Sequence, residues 1–445
     1  MNLHRRALLG AVLATPFLRA ARAQEGPTPI LMVHGNGDHA ALWMTTLWRL
    51  ESNGWPRERL MAVNMPDPLA RANDAVAQEH RSSSAEQTER LAGFVAELRS
   101  RTGAARVALI GNSRGGYPIR DFVVHQGGGA QVSHAVTCGT PNRGVFDWEF
   151  NPGSEFNARS AFLQRLNAGA SDVVEGTSFL TIRSDNDLFA QPDGRHVGRP
   201  GTPTGITQEG ASLRGATNIL LPGLDHRETA YHWRAFREMF RHIAGREPQT
   251  LTVMPEERPA LSGIVTGLAN GGATNRPVSG ATVEVFLTDW NGQREGDALL
   301  RDVTSADGAW GPATLPAWRH MPVEIVLTVP GHPIAHYFRS HFPRSTEVLH
   351  LRPPPPLTEA ERAAPAVVRM TRPRGYYSWP RDVVLLDNAE VAERREGVAS
   401  IASASLRLPA QRVGSAIYGL FNEEKVCGRV VPMAENRIAI LELTW

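Results

Sequence analysis

The chain has 445 residues, with 47 lysines and arginines against 45 aspartates and glutamates, for a formal net charge of +2 at pH 7. That length carries two or three domains with sizeable cores, and the near-neutral balance, with arginines scattered rather than in a run, argues against nucleic acid as a main partner. Only Cys138 and Cys427 are present, which excludes a disulfide scaffold; they fall in different predicted domains, so a bridge between them is not favoured.

Residues 1–23 read as an export signal. Arg5-Arg6 precede Ala7-Leu8-Leu9, an uncharged stretch continues to Leu18, and Ala21-Arg22-Ala23 offers an A-x-A cleavage site before Gln24. The arginine pair followed by Leu8-Leu9 has the pattern of a twin-arginine signal, so the mature protein is expected in the periplasm or outside the cell. The apolar stretch is too short for a stable membrane span, and no other segment is long and apolar enough to be transmembrane.

Residues 24–250 alternate strand and helix patterns, as a doubly wound, mostly parallel sheet requires. Pro29-Ile30-Leu31-Met32-Val33 reads as the first strand and runs into His34-Gly35-Asn36-Gly37-Asp38. Helix patterns cover 40–52, 85–101 and 118–125. Val107-Ala108-Leu109-Ile110 reads as a buried strand that passes into Gly111-Asn112-Ser113-Arg114-Gly115-Gly116. G-x-S-x-G between a strand and a helix makes a turn so tight that the positions two before and two after the serine must be small, and the serine hydroxyl stands clear of the sheet.

A serine hydroxyl is a poor nucleophile at neutral pH, so it needs a general base, and the base needs an orienting carboxylate. Both are sought at later strand ends. Ser178-Phe179-Leu180-Thr181-Ile182-Arg183 is followed by Ser184-Asp185-Asn186-Asp187. Either aspartate is placed to be the acid; Asp187, deeper in the loop, is preferred, and Asp185 reads as a turn residue. Ala216–Leu221 is followed by Pro222-Gly223-Leu224-Asp225-His226, which makes His226 the base, ahead of an amphipathic helix over 228–243. His232 reads as structural and Asp225 as an exposed loop carboxylate. Donors for a developing oxyanion are expected from the backbone N–H groups of Arg114 and Asn36, with His34 in support. The segment 143–174, rich in Gly, Asn and Phe, reads as a surface lid over an acyl pocket, with a plain crossover as its competitor. His34, Asp38 and His39 lack a metal-ligand spacing, and no G-x-G-x-x-G or P-loop pattern follows a strand; no cofactor or metal is expected.

Beyond about Pro255 the pattern changes to period-two alternation with turn signals. Ala281–Leu287 and Val323–Val329 read as strands of a β-sandwich or barrel module over 258–352, with turns at Asp289-Trp290-Asn291-Gly292 and Ser305-Ala306-Asp307-Gly308. Pro353 to Pro356 form a stiff linker or bend. A second mainly β segment, 357–445, completes the C-terminal domain and closes with Arg437–Leu443.

These motifs, together with Gly139-Thr140-Pro141-Asn142-Arg143-Gly144, resemble the bacterial and archaeal lipases of the α/β-hydrolase type. The resemblance implies an α/β-hydrolase fold, a triad of Ser113, Asp187 and His226, and an oxyanion hole from the N–H groups of Asn36 and Arg114. It implies a lipid or other hydrophobic ester as substrate and a lipid surface as contact. Within that family the chain is similar to two-domain long-chain lipases with a C-terminal β-barrel lipid-binding domain, through Phe240-Arg241-His242-Ile243 and Pro333–Arg339. Two departures stand out: Asn112 precedes the nucleophile where many lipases have His, and Arg114 follows it, which puts a cation beside the acyl site. The leading expectation is an exported serine carboxylester hydrolase. The alternatives are a depolymerase of hydroxyacid polyesters, with the β module docking on the polymer, and a binding protein on a disabled hydrolase scaffold.

Overall fold

The computed structural model describes residues 26–445 apart from Gly198, Pro200, Trp318 and Arg319; the export signal over 1–23 lies outside the described residues. Six strands, β1 (Ile30–Val33), β2 (Leu60–Val63), β3 (Val107–Asn112), β4 (Val132–Cys138), β5 (Ser178–Arg183) and β6 (Thr217–Leu220), form one sheet in the order β2-β1-β3-β4-β5-β6. Every pairing is parallel. The apolar runs of β1 and β3 are buried along their whole length, as a sheet covered on both faces demands.

Before residue 250 the α-helices among the described residues are α1 (Met44–Ser52), α2 (Ser84–Thr102), α3 (Gly116–His125), α4 (Ala161–Leu166), α5 (Glu228–Tyr231) and α6 (Trp233–Ala244). Leu91, Val95 and Leu98 of α2 pack with Ile119 and Phe122 of α3 against Leu31 and Leu109. The other face buries Leu47, Phe236 and Phe240 against Ile30 and Ile110. α2 begins in a capping box, with the Ser83 hydroxyl accepting the Glu86 N–H at 3.2 Å and Glu86 accepting the Ser83 N–H at 2.8 Å. The helix expected over 228–243 is interrupted at His232, whose backbone is extended and whose ring accepts the Arg234 N–H at 3.2 Å as the cap of α6. Because the strands are parallel, the loops after β1, β3, β4, β5 and β6 all gather at one end of the sheet, where such sheets carry their sites.

The C-terminal region is mainly β. Its largest sheet has seven strands, ordered 300–303, 282–287, 323–328, 334–339, 437–442, 366–371 and 403–408. Strand 437–442 pairs in parallel with both 334–339 and 366–371, so strands from either side of the Pro353–Pro356 run belong to one sheet. A four-stranded sheet of 384–386, 389–390, 416–421 and 424–429 lies beside it.

This region shares a core with the first. Trp48 of α1 meets the Phe342 ring edge-on at 6.3 Å and lies 6.4 Å from the Trp445 ring, and its indole N–H donates to the Ser345 carbonyl at 2.8 Å. The buried cluster that holds Phe236 and Phe240 runs on through Leu261, Val283, Ile325 and Ile438. Cys138 and Cys427 are both buried and unbridged.

Candidate active site

The turn after β3 is built by its glycines. A Cβ on Gly111 would stand 2.6 Å from the Gly115 carbonyl oxygen, and one on Gly115 would stand 2.6 Å from the carbonyl oxygens of Val33 and His34. With both crossings open, Ser113 takes a left-handed backbone, φ 55°, a conformation that costs a non-glycine residue about 1–2 kcal/mol and is held by the packed strands around it. Ser113 is nearly buried, with its residue lining a cavity at the strand ends.

His226, after β6, lines the same cavity. Its Nδ1 lies 2.9 Å from both carboxylate oxygens of Asp187. A carboxylate only accepts, so Nδ1 carries the proton and Nε2 is left as the basic nitrogen. Asp187 is fixed by the Phe189 N–H, which donates to Oδ1 at 2.9 Å, and the Phe189 ring packs edge-on against the imidazole at 4.4 Å. Asp185 is exposed and accepts the Gly223 N–H at 2.7 Å; it joins the acid loop to the histidine loop and does not meet His226. Gly139, φ +56°, follows β4 with no room for a side chain: a Cβ there would lie 2.9 Å from the His226 carbonyl and 3.2 Å from Asp187 Oδ2.

Asn112 is a tether. Its amide donates to the Cys138 carbonyl at 3.0 Å and to the His226 carbonyl at 3.3 Å, so the residue before the serine ties the histidine loop to the elbow. Asn36 lines the cavity, and its side-chain oxygen accepts the Ala70 N–H at 2.7 Å, which steadies the loop after β1. His34 is buried; its Nδ1 donates to the Gly35 carbonyl at 2.8 Å and its Nε2 accepts the Met65 N–H at 3.0 Å. Burial pulls its pKa down to about 4, against the opposing pull of Asp38. It is a neutral brace for this loop.

The cavity holds about 270 Å³. Val145, Phe146, Phe156, Phe189 and Val197 make its apolar wall; Asp38, Arg227 and Tyr376 make a polar end. The segment 143–174 thus supplies part of the wall. Phe146, Trp148 and Phe150 stack at 4.3 and 4.8 Å, and this ladder ends at Phe150, which is 45% exposed.

The palmitoyl protein thioesterase family model matches residues 29–180, the stretch from β1 to β5 that carries the elbow. The lipase C-terminal domain model matches residues 261–356. The chain has an α/β-hydrolase-like fold, a six-stranded parallel sheet with helices, followed by a C-terminal mainly β region. Among solved structures, the chain is similar to a Listeria innocua gene product, at 13% identity over 51% of this chain and 97% of that one, TM-score 0.36. It is also similar to Aspergillus fumigatus lipase B, at 15% identity over 51% and 54%, TM-score 0.36, and to the mature Bacillus licheniformis lipase BlEst2, at 19% over 45% and 86%, TM-score 0.33.

Two readings of single residues change in the folded chain. Arg114 does not put a free cation beside the acyl site. Its guanidinium is buried against Glu155, with Nε 2.5 Å from Oε1 and Nη2 2.8 Å from Oε2, and it also donates to the Pro68 and Ser82 carbonyls at 3.0 and 2.7 Å. Burial holds the Glu155 carboxyl above its ordinary range despite this partner. Asp225 is not an exposed loop carboxylate; it is 0% exposed, within 2.5 Å of Arg372 Nη1.

The β domain also reaches the site at other points. The Asn275 amide donates to the Asp38 and Met65 carbonyls at 2.7 and 3.0 Å, and Arg352 donates to the Gly37 carbonyl at 3.3 Å. The Ala399 N–H donates to the side chain of Asn186 at 3.1 Å. Tyr376 lines the cavity itself, with Arg227 over its ring at 5.2 Å. Contributions from so far along the chain carry no local sequence signal. Among the described residues no group of three or more His, Cys, Asp or Glu is arranged to hold a metal, and no helix is long and apolar enough to cross a membrane.

Proposed function

We propose that the hydrolase cleaves carboxylic esters of apolar acyl chains through an acyl-enzyme on Ser113. The observation that carries this reading is the meeting, at one apolar-walled cavity, of a serine on a strained elbow and a histidine whose Nδ1 is held by a buried aspartate. His226 Nε2 takes the proton of the Ser113 hydroxyl as Oγ attacks the ester carbonyl. Asp187 keeps the imidazole in the required tautomer and stabilises its cation. The backbone N–H groups of Asn36 and Arg114 receive the negative charge that develops on the carbonyl oxygen. Collapse releases the alcohol, which takes the proton from His226. Water then attacks the acyl-serine by the same route in reverse roles, with His226 as its base.

The wall of Val145, Phe146, Phe156 and Phe189 takes the acyl chain, since each buried methylene gains about 0.8 kcal/mol. The cavity lies near the lower end of the usual ligand-pocket range of about 300–1,000 Å³, so the far end of a long chain leaves along the ladder toward Phe150. A panel of esters of increasing acyl length, with emulsified triglyceride and polyhydroxybutyrate beside it, tests the substrate class. Rising kcat/KM with acyl length supports lipid esters; preferential release of hydroxyacid from the polymer overturns that choice in favour of a depolymerase. The Arg5-Arg6 pair supports export by the twin-arginine route, which its replacement by two lysines should block.

A further inference from the structure

His226 is flanked by two buried carboxylates, Asp225 and Glu228. They fold the loop around it. Asp225 Oδ1 accepts the N–H groups of Arg227 at 2.8 Å and Glu228 at 3.0 Å, and the Asp225 N–H donates to Glu228 Oε2 at 2.7 Å. Asp225 Oδ2 and Glu228 Oε1 remain for other donors, and a single guanidinium takes both. Arg372 Nη1 donates to Asp225 Oδ2 at 2.5 Å and Nη2 to Glu228 Oε1 at 2.6 Å. Arg372 is itself held by the β domain, donating through Nε to the Trp445 carbonyl at 2.9 Å and through Nη1 to the Tyr376 carbonyl at 2.5 Å.

Neighbouring contacts follow the same plan. The Tyr376 N–H donates to Asp225 Oδ2 at 2.9 Å, and Arg381 Nη1 donates to Glu228 Oε2 at 2.9 Å and to the Gly223 carbonyl at 3.1 Å. Two like charges on either side of His226 repel in a medium of low dielectric. A planar guanidinium between them converts that repulsion into a fixed fork, which a lysine cannot reproduce. A buried ion pair is weak evidence for stability; its consequence here is geometric. Asp187 and Phe189 set the tilt of the imidazole, while the seat of its loop against the sheet is shared between the Asn112 tether on the His226 carbonyl and the grip of Arg372 on Asp225 and Glu228.

We infer that Arg372 is a positioning residue for ester cleavage, seating the His226 loop so that Nε2 reaches the Ser113 hydroxyl. The C-terminal sheet is thereby part of the catalytic apparatus. This inference rests on the reading of Ser113 and His226 as nucleophile and base.

The test uses the full chain and the variants Arg372→Gln, Arg372→Lys and Asp225→Asn. A fluorophosphonate, allowed to react to completion, counts active serines, and kcat and KM are then measured on a short soluble p-nitrophenyl ester. Misplacement of the base by an ångström predicts a fall of about 10- to 100-fold in kcat per titrated serine, with KM moved by less than about threefold, as expected for an interaction that serves the transition state. Arg372→Lys should fall between the wild type and Arg372→Gln. Because the two singles share the Arg372–Asp225 contact while each also breaks contacts of its own, the Arg372→Gln/Asp225→Asn double variant should fall by less than the product of the two single effects. A merely structural role gives fewer titratable serines, each with its kcat within about twofold of wild type, and that result overturns the inference. If Arg372→Gln does not fold, Arg372→Lys and Asp225→Asn decide by the same criterion. A wild type that takes up no phosphonate overturns the serine reading itself, and this inference with it.

Discussion

His226 Nδ1 and the Asp187 carboxylate stand 2.9 Å apart at both oxygens, whereas Asp185, in the same loop, turns to the Gly223 N–H. The two aspartates therefore separate under mutation. Asp187→Asn presents an amide where the imidazole needs an acceptor, reverses the favoured tautomer and should lower kcat by about 10⁴-fold. Asp185→Asn keeps an oxygen for Gly223 at an exposed position and should stay within a few-fold of wild type. Steady-state kinetics on a soluble ester distinguishes the two, and a reversal moves the acid to Asp185.

The Arg114–Glu155 pair makes a separate prediction about stability. Both side chains are buried, and neither can be solvated if the other is removed. Breaking such a pair from one side costs about 3–5 kcal/mol. Glu155→Gln should thus lower the urea midpoint markedly, while Arg114→Met with Glu155→Leu should recover much of the loss. Equal stability of Glu155→Gln and wild type would show that Arg114 finds enough partners in the Pro68 and Ser82 carbonyls alone.

Much of the N-terminal α/β region was legible in the sequence because its signals are local. The apolar runs over 30–33 and 107–110, the small residues around Ser113 and the polar loops after each strand each follow from near neighbours. That Asp187 and not Asp185 meets His226 was legible as a matter of depth in the loop. What escaped depends on distant partners. Nothing beside Asp225 announces Arg372, and nothing beside Arg114 announces Glu155, so one reads as exposed and the other as a free cation. His232 breaks a continuous amphipathic pattern because its ring caps the next helix. In the β region, the parallel pairing of 437–442 with 334–339 and 366–371 joins strands far apart in the chain, and alternation alone does not reveal register.

Removal of the β domain follows from that long-range joining. A chain ended after Pro255 loses the partners of Trp48, Asp225 and Glu228 together. It should be insoluble or lack cooperative thermal unfolding, and it should lose short-ester as well as long-ester turnover. A soluble, cooperatively unfolding fragment with wild-type kcat on a short ester would show that the shared core is dispensable.

Acid should weaken the β domain at a defined place. Glu324 is buried, and burial raises its pKa, but hydrogen bonds from His336 Nδ1 at 2.6 Å and Arg294 Nε at 2.6 Å, with their charges, outweigh that and hold it at about 2 against an ordinary 4.5. A carboxyl depressed on folding stabilises the fold fully above its unfolded pKa and loses that contribution as pH falls toward the folded value. The stability gap between wild type and Glu324→Gln should therefore shrink by about 3 kcal/mol as the pH falls from about 5 toward 2. Urea unfolding at a series of pH values measures it; a gap that does not change with pH would mean that Glu324 is not ionised in the folded protein.

The most direct measurement is mass spectrometry of the protein after reaction with a fluorophosphonate, paired with the turnover of Ser113→Ala. The nucleophile reading predicts one adduct, located on Ser113, complete loss of ester cleavage as it forms, and a folded Ser113→Ala protein that neither labels nor turns over. Unlabelled Ser113 in a protein that still cleaves esters, or near-normal turnover in folded Ser113→Ala, would contradict it.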